Sequence, residues 1–231
     1  MVWLLRPVER ALTAARVTPT QVTVLSLVLC VLAAIAIGSE YLATGAWLFI
    51  AGGMLDILDG RLARATSQES PAGALFDSIA DRWSELAIFT GLAWYLRDGG
   101  VWLLAAILAC GGSFMVSYTR ARSEAVGLEL RGGAMQRAER IVLISVGALV
   151  AAWFAADDGT AVHAHDVLGL ALAVCGVLSC VTAIGRWSAA HRALMRAAEA
   201  PKPIEPATTV AKKSALAKKR DANHHGLGPV H

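Results

Sequence analysis

Long apolar runs recur along the chain, each interrupted by a short polar segment. A helix that crosses the hydrocarbon of a bilayer needs roughly 20 consecutive apolar residues. On that measure the pattern predicts six transmembrane helices, near 21 to 38, 42 to 62, 73 to 96, 101 to 121, 139 to 156 and 166 to 187. Their Ala, Gly and Ser content lets helix backbones approach closely, which is how helices associate in lipid. Trp83, Phe89, Trp94 and Tyr95 read as packing residues and interface anchors. The expected fold is all-α and polytopic.

The two ends differ from this pattern. Residues 1 to 17 mix Trp3, Leu4 and Leu5 with Arg6, Arg10 and Arg16, and lack the unbroken apolar run and small-residue cleavage site of a signal peptide. They predict an amphipathic helix lying in the membrane interface. After a membrane domain over 1–198, residues 199–231 carry Pro201, Pro203 and Pro206, followed by Lys212, Lys213, Lys218, Lys219 and Arg220. That composition predicts a disordered basic tail, either simply solvated or resting on anionic lipid.

Composition agrees. A chain of 231 residues with 56% hydrophobic and 17% charged content, and a mean hydropathy of +0.54, is too apolar for an ordinary soluble domain. The net charge of +3 is unevenly spread. The N-terminus, the loop with Arg61 and Arg64, the loop from Arg120 to Arg140 and the tail are basic, whereas the alternate loops hold Glu40, Asp98, Asp157, Asp158 and Asp166. Basic loops stay on the cytoplasmic side, so both termini are expected in the cytosol of a multi-pass cell-membrane protein. Membrane lipid is the expected surrounding partner, with no nucleic acid.

One stretch carries the chemistry. DILDGRLARATSQESPAGALFDSIAD, from Asp56 to Asp81, places four carboxylates, Asp56, Asp59, Asp77 and Asp81, within apolar flanks. Ionisable residues at membrane depth are costly and default to function. The three-residue and four-residue spacings put each pair on one helix face, and Ser70 before Pro71 is a helix start. Four carboxylates aimed at one point repel unless cations neutralise them, and an oxygen-only cluster suits Mg²⁺, Mn²⁺ or Ca²⁺. A divalent metal, as two ions, is expected. Gly60 and Ala63 leave room beside the acidic face, and Arg64 can fork onto phosphate. Metal, arginine and small residues together point to phosphoryl transfer, with Asp81 as candidate general base.

Asp56, Asp59, Gly60, Ala63, Arg64, Gly73, Asp77 and Asp81 match in residue and spacing the signature of the CDP-alcohol phosphotransferase family of membrane enzymes, which this chain resembles. The resemblance implies displacement of CMP from a CDP-linked donor, usually CDP-diacylglycerol, by an alcohol, in a homodimer. It implies that Asp56, Asp59 and Asp77 hold the metals with help from Asp81, which also serves as base, while Gly60, Arg64 and Ser70 face the cytidine diphosphate. At the entry to the first span the family often has a Pro-Asn pair; here Pro19 is followed by Thr20. Carried over, Thr20, Gln21, Val22 and Thr23 shape the nucleotide pocket. The alternative for this segment is a helix cap followed by proline at the first turn.

A second stretch, SYTRARSEAVGLELRGGAMQRAERIVL from Ser117 to Leu143, is rich in arginine around a Gly132-Gly133 turn. It reads either as a positive-inside loop or as an anion site. It resembles the matching region of the phosphatidylinositol phosphate synthases, where basic residues receive the phosphate of inositol 1-phosphate. Arg120, Arg137 and Arg186 carry over by that resemblance, with Arg140 competing with Arg137. Cys30, Cys110, Cys175 and Cys180 lie in apolar spans without CxxC spacing and read as packing residues. His163 and His165 belong to an opposite loop.

The expected reaction is transfer of a phosphatidyl group from CDP-diacylglycerol to inositol 1-phosphate. Its rivals are another acceptor such as glycerol 3-phosphate, coupling of CDP-inositol to inositol phosphate, and, outside this chemistry, a cation transporter.

Overall fold

The computed structural model describes residues 12–15, 17–129, 132–156 and 163–199. They form six long helices: α1 (Pro19–Gly38), α2 (Leu42–Ala65), α3 (Pro71–Tyr95), α4 (Val101–Ala125), α5 (Arg137–Ala155) and α6 (Ala164–Glu199). A short helical stretch at 12–14 precedes them, and no strand occurs among the described residues. The rest of the expected interfacial helix, and the tail beyond Glu199, lie outside the described residues, as do Arg131, Asp157 and Asp158. The chain divides into two units, Met1–His191, which holds the bundle, and Arg192–His231, described only as the last residues of α6.

Local sequence sets the helix starts. Thr18 caps α1 through a capping box, its hydroxyl accepting from the Gln21 N–H while Gln21 Oε1 accepts from the Thr18 N–H, with Pro19 opening the helix. Ser70 caps α3 with its hydroxyl alone, accepting from the Gly73 N–H at 3.0 Å ahead of Pro71. The turn before α5 uses Gly132 and Gly133 at φ of 105° and 119°, a region open to glycine at little cost. Helix α6 runs on past its apolar span to Glu199 through Arg, Ala, Leu and Met, residues that favour helix in water as well as in lipid.

Among the described residues, five helices are long and apolar enough to cross a membrane. The exception is α3, whose 25 residues include Asp77, Asp81, Arg82 and Glu85; length suffices, but the charges interrupt the apolar run. Large apolar side chains point outward, among them Leu25, Ile35, Leu104, Ile107, Val181 and Ile184, as expected where the solvent is lipid. Inside, small residues set the spacing. A Cβ on Gly91 of α3 would lie 2.7 Å from Ala34 Cα of α1, and one on Gly112 of α4 would lie 2.9 Å from Ser179 Cβ of α6. Ser26 donates to the Gly52 carbonyl at 2.8 Å, tying α1 to α2, a cross-helix bond worth about 0.6 kcal/mol in lipid. All four cysteines are free. The His165 ring meets that of Tyr95 at a tilt of 49°, with centroids 4.7 Å apart, at the end of α3 remote from Asp77.

Candidate active site

The end of α2, the first half of α3 and the first turns of α1 meet at one end of the bundle, because α1 packs against both other helices. Asp56 and Asp59 project from one face of α2, and Asp77 faces them from α3. One carboxylate oxygen from each of the three lies within 4.8 Å of the others. Asp59 is only 4% exposed, and Thr23 of α1 donates its hydroxyl to Asp59 Oδ2 at 2.7 Å. Asp77 Oδ1 is buried with no hydrogen-bond partner. Three converging carboxylates, one with an orphaned buried oxygen, and no His or Cys in the cluster, make an oxygen-only donor set that fits a hard divalent cation.

Asp81 takes a different partner. One turn beyond Asp77, it pairs with Arg137 of α5, and Arg82 lies 3.5 Å from its other oxygen. Arg137 also reaches Asp56 at 3.3 Å. The trio and Asp81 are therefore bridged by a guanidinium rather than forming one four-carboxylate group.

Beside the trio opens a cavity of about 470 Å³. Thr20, Thr23, Gly60, Arg64 and Ser70 all line it, together with Asp59 and Asp77. The Arg64 guanidinium lies over Gly60, with Nη1 3.7 Å from where a Cβ would stand, and both residues line the cavity. The other two residues expected at this pocket turn away. Gln21 is engaged in capping Thr18, and Val22 is buried against Leu58 and Leu62. Helical periodicity explains the split, since Thr20 and Thr23 share a face from which Gln21 and Val22 diverge.

A second cavity, of about 660 Å³, is lined by Arg120, Glu124, Gly132, Gln136 and Arg186 among others. Arg120 is exposed and pairs with Glu124 at 2.9 Å. Arg186 donates to the Gly132 carbonyl at 2.8 and 3.1 Å and to the Val116 carbonyl at 3.1 Å. Two of the three arginines expected to bind an anion therefore share a cavity, and Arg137 stands with the carboxylates. Arg140 is 3% exposed and pairs with Glu85 inside the bundle. Glu85 and Arg82 had no part in the sequence reading. The available signal was position: Glu85 follows Asp81 by four residues, on the same face of an apolar helix.

Comparison with known proteins gives the chain a family. A family model described as CDP-alcohol phosphatidyltransferase matches residues 16–182. The phosphatidylinositol phosphate synthase of Cutibacterium acnes is 32% identical over 194 residues, 82% of this chain and 93% of that protein. That of Mycobacteroides abscessus is 36% identical over 155 residues, 64% of this chain and 69% of the relative. The archaetidylinositol phosphate synthase of Methanothermobacter thermautotrophicus is 41% identical over 111 residues, 48% of this chain and 55% of the relative. Among solved structures, the Mycobacterium tuberculosis phosphatidylinositol phosphate synthase with CDP-DAG bound superposes with a TM-score of 0.69 at 29% identity, covering 80% of this chain and 92% of that one. The same enzyme in complex with manganese and citrate gives a TM-score of 0.69 at 29% identity, covering 80% of this chain and 87% of that one. With most of its length matched and a carboxylate trio suited to a divalent metal, this multi-pass membrane chain belongs to the CDP-alcohol phosphatidyltransferase family.

Proposed function

We propose that this protein transfers the phosphatidyl group of CDP-diacylglycerol to inositol 1-phosphate, releasing CMP and forming phosphatidylinositol phosphate. The observation that carries this reading is the continuity of the carboxylate trio with a cavity that Arg64, Gly60 and Ser70 also line. Asp56, Asp59 and Asp77 would hold Mg²⁺ or Mn²⁺, as two ions, which when bound would offset the charge of the diphosphate. Arg64 forks onto the diphosphate oxygens and orients the donor. Thr23 holds Asp59 in its ligating orientation through the hydroxyl bond. Asp81 accepts the proton of the attacking hydroxyl, and Arg137 fixes that carboxylate between α3 and α5. The acceptor oxygen bonds to the phosphorus that carries the diacylglycerol oxygen, and the bond from that phosphorus to the bridging oxygen of CMP breaks.

The acceptor's own phosphate calls for guanidinium groups, and the cavity with Arg120 and Arg186 supplies them. The name shared by the relatives, phosphatidylinositol phosphate synthase, supports an inositol phosphate as acceptor. In this arrangement α3 is a sixth span, its charges turned into the bundle, and the site end of the bundle faces the cytosol, where the basic loops lie.

The test is CMP release by purified protein with CDP-diacylglycerol and a panel of acceptors. Inositol 1-phosphate is expected to be used best, and Arg120→Ala to raise the KM for it. Equal use of glycerol 3-phosphate, together with an unaffected Arg120→Ala protein, would remove the acceptor assignment.

A further inference from the structure

Helices α3 and α5 face each other across two rungs of ion pairs. Asp81 and Glu85 stand one turn apart on α3, and Arg137 and Arg140 stand one turn apart on α5. The first rung, Asp81 with Arg137, belongs to the reaction described above. The second, Glu85 with Arg140, lies deeper, with side chains 8% and 4% exposed and Phe49, Ile88 and Ile144 around it. It touches neither cavity.

Stability alone does not account for this second rung. Taking two charges out of solvent is expensive, and well-packed apolar residues of similar volume often serve a fold as well or better. The distinguishing feature is what Arg140 does with a second nitrogen of its guanidinium. Its Nη1 donates to the Met135 carbonyl at 3.2 Å, and Met135 is itself buried at 3% exposure. Met135 lies in the turn that begins at Gly132 and Gly133. Those glycines hold left-handed conformations that leave the turn many alternatives unless something outside it chooses one. The same turn presents the Gly132 carbonyl to Arg186, and Gln136 to the cavity that Arg120 and Arg186 line.

Building on the acceptor assignment above, we propose that Glu85 and Arg140 are a positioning pair that fastens the 132–136 turn to α3. Glu85 orients the Arg140 guanidinium, Arg140 holds Met135, and the turn in turn holds Arg186 and Gln136 at the mouth of the acceptor cavity. The same anchoring sets the register in which Arg137, one turn earlier on α5, meets Asp56 and Asp81. The pair acts through other residues and contacts no substrate. Its loss is felt in acceptor binding before donor binding.

The experiment uses the full-length protein with Glu85 and Arg140 both replaced by Met, so that neither is left as an unpaired buried charge; Arg82, which also lies 3.5 Å from Glu85, keeps Asp81 as a partner. Thermal unfolding confirms the fold, hydrogen exchange reports on residues 132–140, and CMP release gives KM for each substrate. The expected result is exchange at 132–140 faster by about tenfold or more, with KM for inositol 1-phosphate raised by about tenfold or more and KM for CDP-diacylglycerol changed by less than about threefold. Arg140→Lys keeps the charge but cannot fork between Glu85 and Met135. It is expected to show the same split, and it serves if the double variant does not fold. Unchanged exchange with unchanged acceptor KM overturns the proposal, as does an equal rise in both KM values, which marks general loosening. If the wild-type protein releases no CMP with inositol 1-phosphate, the acceptor assignment fails instead, and exchange at 132–140 alone decides whether the pair holds the turn.

Discussion

Replacing Thr23 by Val removes one hydroxyl and keeps a branched side chain of similar shape on α1. That hydroxyl is the donor to Asp59 Oδ2 at 2.7 Å, and at 4% exposure Asp59 has little access to water as a replacement donor. A hydrogen bond to a charged group is worth about 1.5–3 kcal/mol. At 1.4 kcal/mol per factor of ten, its loss should weaken divalent-metal binding by about 10- to 100-fold, the range usual when a residue orienting a metal ligand is removed. The hydroxyl also lies 3.1 Å from the Pro19 carbonyl, so Thr23→Ser, which keeps both contacts, serves as control and should bind like the wild type. Mn²⁺ titration followed by electron paramagnetic resonance measures the affinity without requiring turnover. A Thr23→Val protein that is folded and binds Mn²⁺ within about threefold of the wild type would refute the reasoning, because Asp59 would then be oriented by something other than Thr23.

Other substitutions probe the remaining parts of the site. Asp77→Asn removes a ligand from the trio while keeping its shape, and CMP release should fall by about 100-fold or more, with Mn²⁺ binding lost in the same titration. Arg64→Lys keeps the charge but not the fork, so the KM for CDP-diacylglycerol should rise by about tenfold in the release assay while the acceptor KM stays put. Treatment with a chelator should abolish turnover and added Mg²⁺ or Mn²⁺ should restore it, measured as CMP released before and after. Gly91→Val drives side-chain atoms into the Ala34 backbone of α1; overpacking should cost about 1–3 kcal/mol and lower the midpoint of thermal unfolding in detergent.

Much of the architecture was legible in one dimension. The length of an apolar run against the thickness of a bilayer is a local property, and the expected spans lie within the observed helices to within a few residues at most ends. Ser70 with Pro71, and Pro19 at the head of α1, announced helix starts because capping involves neighbours in sequence. The spacing of Asp56 with Asp59, and of Asp77 with Asp81, predicted two acidic helix faces for the same reason: three-residue and four-residue intervals dictate which side chains share a helix face before any packing occurs.

Tertiary structure decided which partner each charge takes. Asp81 belongs to the same spaced set as Asp77, yet it is paired with an arginine on α5. Glu85 and Arg140 are 55 residues apart, and nothing local in either sequence neighbourhood names the other. Gln21 and Val22 stand beside Thr20 and Thr23 in sequence and turn to a cap and to the core. Helix length, face and cap follow from forces acting over a few residues, so the sequence determines them unaided. Charge pairing depends on which helix faces come within a few ångströms in a low-dielectric interior, where every alternative partner is costly to leave unpaired, and that is settled only when the bundle packs.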